Sequence, residues 1–294
     1  MGTRWRVLAA KPHAADPAAI ESAIITRLAG LVAEMSHWDE GSLLSRFNRG
    51  SAGEWIALPP DFATVVARAL ALAELTGGAF DPAIGRLVDL WGFGPPGQQP
   101  TPNEAAITAA RAQSGWRRLA WDAPARRLRQ PGGIALDLSG IAKGHAVDAV
   151  ADLLGAHGVR HALIEVGGEL VGRGIRPDGE PWWVDLENPP DASLAPLRIA
   201  LHGLAVATSG RYVRGDHNID PHTGRPPAND VIAASVIATA AIDADAWASA
   251  LAVLGGEAGI ALADRHGIAA RLVCDNGAQI EERLSATLRA MLVD

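Results

Sequence analysis

The sequence predicts an α+β protein, a mostly antiparallel sheet with helices packed on it, and three observations support that class. Strand-like segments follow one another at hairpin spacing through the middle of the chain. Helical segments do not alternate strictly with them, as a parallel sheet would require. Hydrophobic residues make up 48% of the chain against 20% charged, enough apolar material for a sizeable core. With no repeat, low-complexity linker or long charged run, we expect one domain over residues 1–294; the Gly/Pro-rich stretch Gly92–Pro102 is the one plausible boundary.

The elements follow from local chemistry. Asp16 and Pro17 start a helix that runs to about Met35, since Asp can cap free N–H groups and Pro suits the first turn. A second helix spans Pro60–Leu75 and stops at Gly77–Gly78, which can take positive φ. The run Thr101–Pro102–Asn103–Glu104 reads as a capping box with Pro at the first helical position, and that helix closes at Gly115. Trp116–Arg129 predicts a strand pair about the turn Asp122–Ala123–Pro124. Ile134–Leu138 predicts a short strand entering a helix over about Lys143–Leu154. Strands are expected at His161–Val166, Glu169–Ile175, Trp182–Glu187, Leu197–His202 and Val231–Thr239, with a turn at Arg176–Gly179. Helices at Ala244–Leu254 and Glu257–His266 follow, then strands at Ile268–Cys274 and near the C-terminus.

The formal net charge is −7, so no general basic field draws in a polyanion, and nucleic acid is excluded as the expected partner. Cys274 is the only cysteine, which rules out an internal disulfide framework or a thiolate metal cage. The opening run from Met1 has no apolar stretch with a small-residue cleavage site, and no segment stays apolar for the roughly 18 residues a membrane span needs. The expectation is a cytoplasmic chain with no membrane span.

Four islands combine small residues, carboxylates and isolated cations. In Gly77–Gly78–Ala79–Phe80–Asp81–Pro82 the glycines allow close backbone approach, Phe80 offers an apolar face and Asp81 can accept from a ring or ribose; the same residues also suit a plain helix cap and turn. Asp137–Leu138–Ser139–Gly140–Ile141–Ala142–Lys143–Gly144 passes from a strand end into a helix N-terminus. There free N–H groups and Lys143 can hold a phosphate, or Ser139 can simply cap the helix. Its spacing is not that of a P-loop.

Gly167–Gly168–Glu169, whose glycines suit a plain turn between strands, and Ala207–Thr208–Ser209–Gly210 precede His217–Asn218–Ile219–Asp220–Pro221, where the His217 ring, neutral near pH 7, can accept a proton from an attacking hydroxyl, although a lone His is more often a surface or structural residue. In the fourth island Asp243 can cap a helix on which Asp245 and Ser249, four apart, share one face and offer the hard oxygens that Mg²⁺ prefers. A dinucleotide-binding fingerprint is excluded although the chain holds 32 glycines: Gly172–Arg173–Gly174 lacks the third glycine and leads into Pro177 instead of a helix.

Taken in order, these islands resemble the ApbE family of FAD:protein FMN transferases. The likeness adds Met1–Gly2–Thr3, Met35–Asp39, Leu44–Asn48, Leu90–Gly94 and His222–Thr223–Gly224, and so covers nearly the whole chain. The resemblance implies an α+β fold of the T-fold type. It implies FAD contacts at Met1, Trp38, Ala79, Phe80, Asp81, Asp137, Lys143 and Ile219, and a Mg²⁺ site from the Gly140 and Ala248 carbonyls with the Asp245 and Ser249 side chains. Trp38 stands where the family often has Tyr, Ser249 where Thr is usual, His145 at a common Tyr position and His222 at a common Arg position.

The function implied is Mg²⁺-dependent transfer of FMN from FAD to a Thr or Ser hydroxyl of an acceptor flavoprotein, with His217 as the base and AMP as the leaving group. The rival readings are a Mg²⁺-dependent FAD pyrophosphatase and a flavin-binding protein without turnover.

Overall fold

The structure is a computed structural model that describes residues 3–10, 16–190, 192–215 and 217–292. The chain opens with β1 (Trp5–Ala9) and the long helix α1 (Pro17–Met35). Next come α2 (Leu43–Asn48), β2 (Trp55–Ala57), α3 (Pro60–Leu75), α4 (Gly85–Leu90) and α5 (Glu104–Ala112), one 3-10 turn at Trp116–Arg118, then β3 (Ala120–Asp122) and β4 (Arg127–Arg129). α6 (Ala142–Ala156) leads into β5 (Ala162–Val166), β6 (Glu169–Arg173), β7 (Trp182–Leu186), β8 (Leu197–Leu201) and β9 (Ala205–Gly210). After the short α7 (Arg211–Arg214) follow β10 (Val231–Ala238), α8 (Ala241–Leu254), α9 (Gly256–His266), β11 (Ala269–Asp275), β12 (Ile280–Leu284) and α10 (Ala286–Met291).

The chain divides into two compact units. One comprises Gly30–Ala142 and the described part of 216–228; the other comprises the described parts of 3–29, 143–215 and 229–294. In the second, seven strands form one sheet in the order β1-β5-β6-β9-β10-β11-β12, with every pairing antiparallel. β7 and β8 form a separate ribbon whose Trp182, Leu186, Ile199 and Leu201 share a core with Leu163, Val206, Ile237 and Leu288. α8 is buried around most of its circumference, as expected of a helix with so little polar surface.

The start of α8 departs from the expectation. The helix begins at Ala241, and its first amides are not capped by Asp243: Asp148 of α6 accepts from Ala241 N at 3.0 Å and Ile242 N at 2.9 Å. A carboxylate from another helix thus satisfies the first donors of α8. The two helix starts lie so close that a Cβ on Gly144 of α6 would overlap the Ala241 carbonyl.

The first unit carries only a three-stranded antiparallel sheet, β2-β4-β3. α3 spans the expected residues, and Gly77 and Gly78 turn the chain out of it at φ 63° and 93°. α5 is capped two residues later than expected: the Asn103 side chain accepts from Ala106 N at 2.9 Å, which leaves Pro102 ahead of the cap, and the helix ends at Ala112. Glu104 at its start pairs with Arg225 instead of closing a capping box.

Ile134–Leu138 joins no sheet. Its backbone groups are taken elsewhere: Asn48 binds both Leu136 N (2.7 Å) and Leu136 O (3.0 Å), Gly85 N donates to Ala135 O, and Asp137 N donates to Pro82 O. A buried segment needs partners for its peptide groups, and a side chain plus loop amides serve as well as a ladder. Asp81 does similar work, accepting from Ala83 N at 2.7 Å and Trp116 N at 3.0 Å. Its burial pushes its carboxyl up to about 6.

Two outcomes follow for stability. Gly144→Ala should destabilise by about 1–3 kcal/mol through overpacking, although Ala ordinarily favours a helix by about 1 kcal/mol over Gly; thermal denaturation reporting a gain would contradict the close approach. For Asp81, the folded state keeps a proton between pH 4 and 6 that the unfolded chain has lost, so stability falls as pH rises through that window and levels off above it. Urea midpoints against pH should show this decline in wild type, up to about 3 kcal/mol, and its absence in Asp81→Asn.

Candidate functional site

In the first unit, islands far apart in sequence are fastened to one another. The His222 ring reaches back to the helix-ending turn, with Nε2 3.1 Å from Gly77 O and Nδ1 3.2 Å from Asp220 Oδ1. Trp91 Nε1 donates to Gly224 O at 2.8 Å, which ties Leu90–Gly94 to the same loop. Asp220 and Arg225 form an isolated bridge that closes the loop, and Ile219 is buried against Leu87 and Val88. His217 stands half-buried two residues before Ile219. Pro82 O accepts from Asp137 N, so the Ala79–Phe80–Asp81 run adjoins the Asp137 segment; Ala79 and Phe80 are themselves buried.

Asp137 has a partner the sequence did not mark. Its Oδ1 accepts from Ser139 N at 2.8 Å and lies 3.3 Å from His37 Nδ1, both side chains being largely buried. Burial would raise the Asp137 pKa, but the bond and charge of His37 hold it below the ordinary carboxylate range. Burial likewise works against a charged His37, and Asp137 outweighs it, so the imidazole pKa is raised. Asp89 is pushed up by its own burial and by the Asp137 charge. The His37 ring packs against that of Trp38, with centroids 5.3 Å apart, and Trp38 is 57% exposed, an unusual exposure for so large a ring. Only adjacency to Trp38 in the sequence hinted at His37. Met1 lies outside the described residues, and Gly140 sits in the turn after Asp137.

The second unit gathers Lys143, Glu169 and Asp245. Lys143, in the first turn of α6, places its Nζ 2.5 Å from Glu169 Oε1 and 3.0 Å from Asp245 Oδ1, while Asp245 Oδ2 accepts from Gly144 N at 2.9 Å. Asp245, read from the sequence only as a candidate cation ligand, therefore also holds the start of α6. Gly167 makes room for this: at φ 69° it turns the β5–β6 hairpin, and a Cβ there would meet Thr3 Oγ1 at 2.8 Å and Lys143 Cδ at 3.2 Å. Ser249 follows Asp245 by one turn of α8 and is half-buried, and Ala248 is buried.

The electrostatics of the cluster are lopsided. Burial would strip the Lys143 proton, but the two carboxylates hold its pKa above that of an ordinary lysine. Glu169 is pushed up to about 8 by burial and by the Asp245 charge, and among the described residues its buried Oε2 has no hydrogen-bond partner. Among the described residues no three His, Cys, Asp or Glu side chains gather as a metal cage. The donor set on α8 is one carboxylate, one hydroxyl and a carbonyl, a composition suited to a hard cation that keeps part of its water shell. Among the described residues no helix is long and apolar enough to cross a membrane.

Comparison with known proteins gives this arrangement a family. Residues 1–272 match the model of the ApbE family. Proteins named FAD:protein FMN transferase from Vibrio cholerae and from Escherichia coli strain K12 are 34% and 32% identical, covering 99% and 100% of this chain and 90% and 87% of their own lengths. The crystal structure of the flavin transferase ApbE from Vibrio cholerae superposes with a TM-score of 0.92 at 35% identity, covering 99% of this chain and 96% of that one. The ApbE protein of Thermotoga maritima follows with a TM-score of 0.83 at 28% identity, over 98% and 99% of the two chains. A mostly antiparallel α+β fold, the motifs in order and a match over most of the chain agree: the protein belongs to the ApbE family.

Proposed function

We propose that this protein is a Mg²⁺-dependent FAD:protein FMN transferase, moving FMN from FAD to a Thr or Ser hydroxyl of an acceptor flavoprotein and releasing AMP. The near-full-length likeness to proteins bearing that name carries the reading. FAD is gripped by Met1, Trp38, the Ala79–Phe80–Asp81 run, Asp137, Lys143 and Ile219. Asp245, Ser249 and the carbonyls of Ala248 and Gly140 hold the cation.

The donors fit that ion on two grounds. They are hard oxygens, and Asp245 belongs to a buried cluster in which two carboxylates share one ammonium, leaving it short of positive charge. When bound, the cation neutralises pyrophosphate charge. His217 takes the proton of the acceptor hydroxyl; the hydroxyl oxygen bonds to the FMN phosphorus as the P–O bond to AMP breaks. Lys143 offers a point charge to the phosphates, and orientation by these groups supplies most of the acceleration.

Two measurements test the assignment. His217→Ala should keep FAD and Mg²⁺ binding but lose covalent flavinylation of a Thr-bearing acceptor domain by roughly 10²–10⁴-fold, followed as gel-resolved flavin fluorescence. Unchanged labelling would remove His217 as the base, and wild type that yields only free FMN and AMP with every acceptor tried would make the enzyme a pyrophosphatase. Asp245→Asn should abolish turnover at ordinary Mg²⁺. It should also lower thermal stability, because the change leaves the Lys143 ammonium with one carboxylate fewer.

A further inference from the structure

We propose that Glu169 is the second carboxylate of the divalent-cation site, facing the ion together with Asp245; this rests on the metal-dependent reading above. Three features of the second unit support it. Glu169 Oε1 and Asp245 Oδ1 lie 2.5 and 3.0 Å from the same Lys143 Nζ, so both carboxylates converge on one point. The side chains are only 4% and 5% exposed, so water does little to screen their mutual repulsion. Glu169 Oε2 is buried and accepts no hydrogen bond from the described residues, an arrangement that costs free energy unless a cation or a proton donor meets it.

The bond inventory separates Glu169 from an ordinary structural carboxylate. Asp245 spends Oδ1 on Lys143 and Oδ2 on Gly144 N, whereas Glu169 meets Lys143 through Oε1 and its buried Oε2 has no hydrogen-bond partner among the described residues. With a single ammonium between two buried carboxylates, both can carry full negative charge only where further positive charge meets them. A divalent cation beside Asp245 supplies that charge, and Mg²⁺ ordinarily takes one or two carboxylates with waters completing its shell. The placement is built into the fold: Glu169 is the first residue of β6, immediately after the Gly167–Gly168 turn whose missing side chain admits the Lys143 stem. Lys143 is then a counter-ion that keeps the two carboxylates together before the cation arrives.

The test is an electron paramagnetic resonance titration of the full-length protein with Mn²⁺ as the probe ion, with and without FAD, alongside circular dichroism. Glu169→Gln should weaken Mn²⁺ binding at least tenfold, as loss of a supporting carboxylate does, with Glu169→Asp losing less because it keeps the charge. To exclude an effect transmitted through the lysine, and to cover a Glu169→Gln protein that does not fold, Lys143→Met is compared with Lys143→Met/Glu169→Gln; the same tenfold gap is expected. Equal Mn²⁺ affinity within that pair, or between folded Glu169→Gln and wild type while Asp245→Asn loses the ion, overturns the role of Glu169 alone. Wild type that binds no Mn²⁺ under either condition overturns the metal-dependent reading with it.

Discussion

The ammonium of Lys143 is the point on which the second unit's polar interior depends. It joins the first turn of α6 to the next hairpin, β5–β6, through Glu169 and to the sequence-distant α8 through Asp245. An isolated charge in that setting would be untenable, since removing one member of a buried ion pair costs about 3–5 kcal/mol. Here one ammonium serves both carboxylates, and the backbone has been shaped to permit it. Gly144 lets α6 approach the α8 start, and Gly167 leaves space for the lysine stem. The glycines and the charges are one constraint seen from two sides.

The first unit solves a different problem. With only three short strands, it cannot satisfy its buried peptide groups by sheet ladders, and side chains take over. Asn48 serves Leu136, Arg86 donates to Gly133 O, Gln130 donates to Phe47 O and Ile134 O, and Trp91 donates to Gly224 O. Polar residues in such motifs hold the loops in place as well as being candidate ligand contacts. Asp81 and Asp137 are of this kind: both already accept hydrogen bonds from the chain's own amides.

Legibility in the sequence followed the range of the forces involved. α3, α6, α9 and most strands from β5 onward were readable because apolar periodicity and Gly/Pro punctuation are local signals. β1, α2, β2, α4, β9, α7 and α10 were not anticipated; most are short, and β1 acquires its identity only by pairing with β5, far along the chain. The cap of α8 and the loop-bound Ile134–Leu138 were misread for the same reason, since Asp148 and Asn48 act across long sequence separations. For the candidate site, Lys143 and Asp245 were each legible from helix position, but their ion pair was not. His37 and Glu169 lay within marked motifs, but nothing local in the sequence assigned a role to either or linked His37 to Asp137 and Glu169 to Lys143.

Asp148 has a bearing on motion as well as on helix capping. Helix ends usually fray because their first amides turn to water, and an end that frays cannot hold a side chain to a fixed position. The first amides of α8 are bound to a carboxylate on α6, so unwinding that turn requires parting the two helices. Hydrogen exchange at Ala241 and Ile242 is therefore coupled to a larger opening of the second unit. Asp245, one turn further on, is carried by the stiff end of its helix, and a ligand meeting it pays little ordering entropy there.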